Sequence, residues 1–375
     1  MRPRSPAETH RAATTLELFF DLVFVVAVAQ AAAALHHRLA EGHFGPAVVS
    51  YLMVFFGIWW AWMNFTWFAS AYDCDDVPYR LTVFVILTGA LMLAAGVPQA
   101  FEEGNFTITV AGYVVMRLAI VAQWLRAAQS DLPRRGCAYR YAVGITVCQM
   151  GWVGLLFVPA EWRLPGFVVL AVAELLVPVW AERAGATTWH PGHIAERYGL
   201  FTIIVLGESI LSTSLGIQSA IETGEFSNDL IGIIVGGLLI IFSMWWLYFD
   251  WPMEELLTSL QRAFIWGYGH LFIFASAAAV GAGLAVMIDY ALHHAEIGAV
   301  EAGAAVAVPV AIYLICLWTL HVGLQASHHL QRFLIPVVVI LVLLTPLAGG
   351  RSVLLTGLLL AAMLAVKLVS RYGHN

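Results

Sequence analysis

Residues 230–249, LIGIIVGGLLIIFSMWWLYF, run between Asp229 and Asp250 without one charged side chain. A helix of about 20 such residues spans roughly 30 Å, the hydrocarbon thickness of a bilayer. The rest of the chain is of the same kind. Of its 375 residues 61% are hydrophobic, where a soluble domain has roughly 45–50%, and 11% are charged, where it has roughly 25%. Mean hydropathy is +0.83. So few charges do not cover the surface of a soluble globule this large. The same composition excludes a disordered chain, a fibrous repeat and a disulfide scaffold. Long unbroken apolar runs make the membrane body helical rather than a β-barrel.

The run at 227–250 is one of twelve. The others lie at roughly 15–36, 46–70, 80–98, 107–127, 139–158, 165–182, 199–219, 263–288, 302–324, 332–348 and 351–370. The last two are short and joined through Ala348-Gly349-Gly350-Arg351, so they read as two crossings or as a re-entrant hairpin. The predicted fold is all-α, a polytopic transmembrane helical bundle of about 12 spans. Ala27-Val28-Ala29 resembles a signal-peptidase site, but Glu17 and Asp21 inside the first apolar stretch argue for a span.

Orientation follows from the basic residues. With a cytoplasmic N-terminus, 14 of the 18 lie on the inner side; Arg38, Arg163 and Arg351 lie outside, and Arg117 falls mid-span. Both termini are therefore expected in the cytoplasm, with the protein in the bacterial inner membrane. An internal repeat is also legible. Trp59-Trp60-Ala61-Trp62-Met63-Asn64 resembles Trp245-Trp246-Leu247-Tyr248-Phe249-Asp250, and Arg80 matches Arg262. More loosely, Leu18-Phe19-Phe20-Asp21 matches Gly199-Leu200-Phe201-Thr202. These pairs predict two parallel six-helix repeats, 1–190 and 191–375, because six spans restore the starting side.

A charge inside a bilayer costs about 2.5–3.5 kcal/mol on insertion scales, so such residues face the bundle interior or water. Glu17 and Asp21, four apart, share one helix face. They either receive a cation or proton, or pair with an arginine near the interface. Arg117 lies too deep to snorkel and needs a carboxylate; Glu174, at similar depth, is the first candidate and Asp21 the second. Glu196, Arg197 and Glu208 form the densest motif, with Gly207 allowing close helix approach. Asn64 and Asp250 sit inside the two tryptophan clusters, which read as interfacial belts or as an aromatic vestibule. His270 lies within a span.

Other chemistry is not indicated. His190, His193 and Glu196 have metal-like spacing, but Pro191 and Gly192 intervene and no metal site is predicted. Cys74, Cys137, Cys148 and Cys316 form no CxxC pair. No GxSxG, HExxH, P-loop or dinucleotide fingerprint appears, so neither an enzyme nor a cofactor is expected. Nor is nucleic acid expected as a partner, for want of a basic run. The oligomeric state is left open.

Leu16-Glu17-Leu18-Phe19-Phe20-Asp21-Leu22-Val23-Phe24-Val25, together with Glu196 through Phe201 and Gly207-Glu208-Ser209, resembles the bacterial low temperature requirement A (LtrA) family over nearly the whole chain. The resemblance implies a multi-pass membrane protein, and a family name taken from a growth phenotype in the cold. A second likeness joins the first motif to endolysosomal-type potassium channels, whose repeats open with Arg-x-x-x-Phe-Ser-Asp. Here Thr15 stands at the arginine and Phe20 at the serine, so the channel's pore is not carried over.

The function expected is transport of protons, small cations or a small solute along Glu17, Asp21, Asn64, Arg117, Glu174 and Glu208, with Glu196, Arg197, Asp250 and His270 beside them. Proton coupling is expected at Glu208. The alternative is a non-transporting membrane protein that acts on lipid or a partner protein. A wet cavity joining the acids to one face favours the first. Dry, paired acids beside a lipid-sized groove favour the second.

Overall fold

Capping residues and glycines, more than propensity, mark where the apolar runs become separate helices. The computed structural model describes residues 1–5, 8–9, 11–224, 227–322 and 329–372. Among these, thirteen α-helices occur: α1 Thr15–Ala40, α2 Phe44–Tyr72, α3 Val77–Glu102, α4 Thr107–Ser130, α5 Arg135–Leu155, α6 Ala160–Glu182, α7 Pro191–Thr223, α8 Asn228–Phe249, the short α9 Met253–Leu256, α10 Leu260–Ala291, α11 Ala299–Leu317, α12 His329–Leu344 and α13 Ser352–Tyr372. No strand occurs among the described residues.

Helix starts follow the capping rules. Asp76 accepts from the Tyr79 amide at 2.8 Å to open α3, and Ser227 from Leu230 at 3.1 Å to open α8. At α1, Thr14 and Glu17 form a reciprocal capping box: the Thr14 amide donates to Glu17 Oε2 at 2.8 Å, and the Glu17 amide to Thr14 Oγ1 at 3.3 Å. At α7 the ring Nδ1 of His190 accepts from the His193 amide at 3.2 Å, and Pro191 fills the first helical position.

Nine helical stretches among the described residues are long and apolar enough to cross a membrane. Two of the expected runs, at α5 and α7, are helical but fall outside the nine. Arg135, Arg140 and Gln149 dilute α5. The last two expected spans form one stretch, Phe333–Ser370. A 3₁₀ segment, Thr345–Arg351, interrupts it, with Gly349 at φ 61°. Large apolar side chains such as Leu22, Phe84, Val143, Met150, Phe242 and Phe333 are exposed, a surface suited to acyl chains.

The chain divides into two compact units, Met1–Ala31 with Ser50–Tyr198, and Ala32–Val49 with Gly199–Asn375. Helices α1, α2 and α7 contribute residues to both. In the first unit α3 and α4 form a hairpin packed so closely that a Cβ on Gly112 would fall on the backbone of Leu93 and Gly89. Small residues at helix contacts replace the hydrophobic drive that lipid removes. In the second unit α10 and α11 pack the same way, with Gly283 against the Ala305 carbonyl. There Tyr313 donates to the Met244 carbonyl at 2.9 Å, tying α11 to α8.

Candidate functional site

The first unit buries two separate carboxylate clusters. One joins the beginnings of α1 and α7. Glu17 and Asp21 lie one turn apart on α1, and His193 and Arg197 one turn apart on α7; all four are buried. The Arg197 fork grips Asp21, Nε to Oδ2 at 3.1 Å and Nη2 to Oδ1 at 2.5 Å. Its Nη1 lies 3.0 Å from Glu17 Oε1, and His193 Nε2 3.1 Å from the same oxygen. Trp62 on α2 adds a third donor to Asp21 at 2.7 Å. Glu17 thus has two tasks: one oxygen caps α1 and the other faces Arg197 and His193 of α7. The bidentate guanidinium on Asp21, with both oxygens satisfied, is the form in which a buried charge pair is tolerated, whereas Glu17 Oε1, Arg197 Nη1 and both ring nitrogens of His193 make no hydrogen bond.

The N-terminal segment closes this end. Arg11 donates to the carbonyls of Ser70 and Ala69 in the last turn of α2, where the negative end of the helix favours a cation. Its Nη2 also comes within 4.0 Å of Glu17. Arg4 pairs with Glu8 at 2.7 Å, which holds the Glu8 carboxyl below its ordinary range. Beside them Asp73 has its pKa raised, by burial first and then by the charge of Glu17.

The second cluster centres on Glu174 of α6, fully buried. Five donors converge on it from three helices. Arg117 reaches Oε2 at 2.7 Å and Trp60 the same oxygen at 2.8 Å. Tyr113, Gln149 and Trp152 reach Oε1 at 3.1, 3.0 and 3.2 Å. The carboxylate that Arg117 requires is therefore Glu174. Arg117 Nε and Nη1 remain buried without a hydrogen bond.

A cavity of about 300 Å³ opens between the α3–α4 and α5–α6 turns, with Glu103, Asn105 and Arg163 at its mouth. Arg163 straps the two turns together, donating to the carbonyls of Val158 at 3.3 Å and Gly104 at 3.2 Å. The walls are mostly apolar and aromatic. They include Tyr113 and Trp152, whose hydroxyl and ring N–H are the ones bonded to Glu174. Glu17, Asp21 and Glu174 are buried and paired, and Glu174 sits a single residue layer behind a cavity.

Other candidate residues fall elsewhere. Asn64 donates to the Trp60 carbonyl of its own helix at 2.8 Å. Glu196 accepts from the Ala13 amide at 3.1 Å, beside the first cluster. Glu208, Asp250 and His270 belong to the second unit. Glu208 is half-buried. Asp250 pairs with Lys367 at 2.5 Å, and that ammonium lies 4.9 Å from the Trp251 ring centre. His270 faces Tyr248 at 3.0 Å and the Trp266 carbonyl at 2.7 Å. His190, His193 and Glu196 go to different partners. Among the described residues no group of three His, Cys, Asp and Glu is placed to hold a metal ion. All four cysteines are free.

One expectation is corrected. Trp59, Trp60 and Trp62 are fully buried rather than part of an interfacial belt, because the ring N–H groups of Trp60 and Trp62 are needed by Glu174 and Asp21. Trp245 and Trp246 are nearly half exposed. Residues the sequence reading missed are Tyr113, Gln149, Trp152 and, as a partner of Glu17, His193. The available signal was a glutamine and N–H or O–H aromatics inside apolar runs, groups that find partners when buried.

The helices, their apolar exterior and the buried charge clusters define a polytopic helical membrane protein. The chain belongs to the bacterial low temperature requirement A protein (LtrA) family, whose model matches residues 12–369. It is also similar to the uncharacterized protein RA0937 of Rhizobium meliloti (strain 1021), with 28% identity over 272 residues. That match takes in 68% of this chain and 64% of the relative, a little under two thirds of the relative's length.

Proposed function

We propose that this protein is a proton-coupled carrier of a small solute, with the cavity of the first unit as the solute site and Glu174 as the coupling group. The supporting observation is the pair of links from cavity wall to carboxylate, Tyr113 at 3.1 Å and Trp152 at 3.2 Å. A solute that draws these rings aside removes two of the five donors bonded to the carboxylate. Solute entry and proton uptake then act on one group. Glu208, the acid favoured by the sequence, becomes the comparison residue. The apolar walls also favour a second reading, a non-transporting protein that holds an apolar molecule from the bilayer.

The same proposal includes twelve crossings, both termini in the cytoplasm of a bacterial inner membrane, and no chemical step. It also includes two parallel six-helix halves, 1–190 and 191–375. Two side-chain pairs at matching repeat positions support the halves: Asp21 with Trp62, and Thr202 with Tyr248. Proteoliposomes carrying an internal pH dye test the function. Addition of a panel of small solutes should drive proton entry, weakened by Tyr113→Phe and Trp152→Phe but not by Glu208→Gln. Proton movement unchanged in both ring variants, or absent across the panel, refutes the carrier.

A further inference from the structure

We infer that the cavity of the first unit takes an uncharged two-ring aromatic compound, of the naphthalene or indole class. This deepens the carrier reading and rests on it only for the steps after binding. Size comes first. A cavity of about 150 Å³ accommodates benzene, so about 300 Å³ suits two fused rings. The wall comes second. Phe56 and Phe167 meet edge to face at 5.7 Å, Phe167 and Trp152 at 5.1 Å, and Trp152 and Tyr113 at 6.1 Å. A further ring extends such an array at the same spacing. With their polar edges bonded to Glu174, Tyr113 and Trp152 have only ring faces to offer.

Charge is disfavoured inside. The pair beneath the wall is neutral overall, and Glu103 and Arg163, the charged residues that line the cavity, stand at its mouth; an ion seated among the rings is desolvated without a partner.

The test uses the full chain in lipid nanodiscs, with titration calorimetry and ligand-observed NMR against empty discs. The probes are indole, 2-naphthol, naphthalene and naphthalene-2-sulfonate. Indole, 2-naphthol and naphthalene should bind saturably. Gly57→Leu fills the cavity from a position where a Cβ meets only Leu93 and Tyr113 side-chain atoms at 3.9 Å; it should weaken all three at least about tenfold. Uptake equal to that of empty discs, tighter binding of the sulfonate, or indifference to Gly57→Leu overturns the inference. Binding without any flux leaves this site standing and sinks the carrier. Flux of another solute without aromatic binding does the reverse.

Discussion

Glu174→Gln and Arg117→Met remove the two sides of one buried pair, and their costs differ in a way the geometry sets. Gln keeps one carbonyl oxygen where five donors now find two, and it points an NH2 group at some of them. Arg117 stays charged and buried with no counter-ion, a situation that costs about 3–5 kcal/mol. Arg117→Met is milder. The carboxylate keeps Trp60, Tyr113, Gln149 and Trp152, and the two orphaned guanidinium nitrogens disappear with the arginine. The expected cost is about 1–3 kcal/mol, that of one charged hydrogen bond and its packing. The double variant should cost less than the sum of the two, with a coupling of about 2 kcal/mol. Unfolding in mixed micelles, followed by circular dichroism against added denaturing detergent, reads all three. An inverted order, or additivity within about 0.5 kcal/mol, refutes the assignment of Glu174 as the acceptor that holds this cluster.

Trp62→Phe keeps the ring but loses the donor to Asp21; thermal unfolding should register a loss of about 1.5–3 kcal/mol, as for other bonds to charged groups. Gly112→Ala sets a methyl on the Leu93 backbone and should cost about 1–3 kcal/mol, whereas Gly207→Ala, which meets nothing within 4 Å, should be neutral or mildly stabilising in the same assay. Asp73 holds its proton more tightly folded than unfolded, because burial raises its pKa above 3.8. Its contribution to stability is therefore full below 3.8 and is lost as pH rises through the raised value. Asp73→Asn, which keeps the acceptor for the Asp75 amide, should raise the unfolding temperature at pH 7 and flatten the descent just above pH 4; an unchanged profile counts against the buried charge.

Depth in an apolar run was enough to pair Arg117 with Glu174, since a charge ten residues into a span has few other ways to be tolerated. Four-residue spacing likewise put Glu17 and Asp21 on one face. Their cations were out of reach of any local reading, because Arg197 stands 176 residues from Asp21 and only the packing of α7 against α1 brings them together. Tryptophan was ambiguous for a different reason. Its ring and N–H suit a lipid headgroup and a buried carboxylate equally well, so the 59–62 cluster read as a belt or as a vestibule. The cavity left no trace at all, being a space between turns whose side chains look like ordinary core.

Glu17 caps the first helix and completes a charge cluster whose guanidinium, that of Arg197, lies near the chain's midpoint. Translation at roughly 5–20 residues per second delivers Arg197 about 10–35 s after Asp21. During that interval the opening helix holds a carboxylate without the guanidinium that will neutralise it, and its proper seat is the wet boundary of the membrane. Final insertion of the earliest segment thus waits for a later one, and truncation ahead of residue 193 should leave a nascent protein open to quality-control proteases.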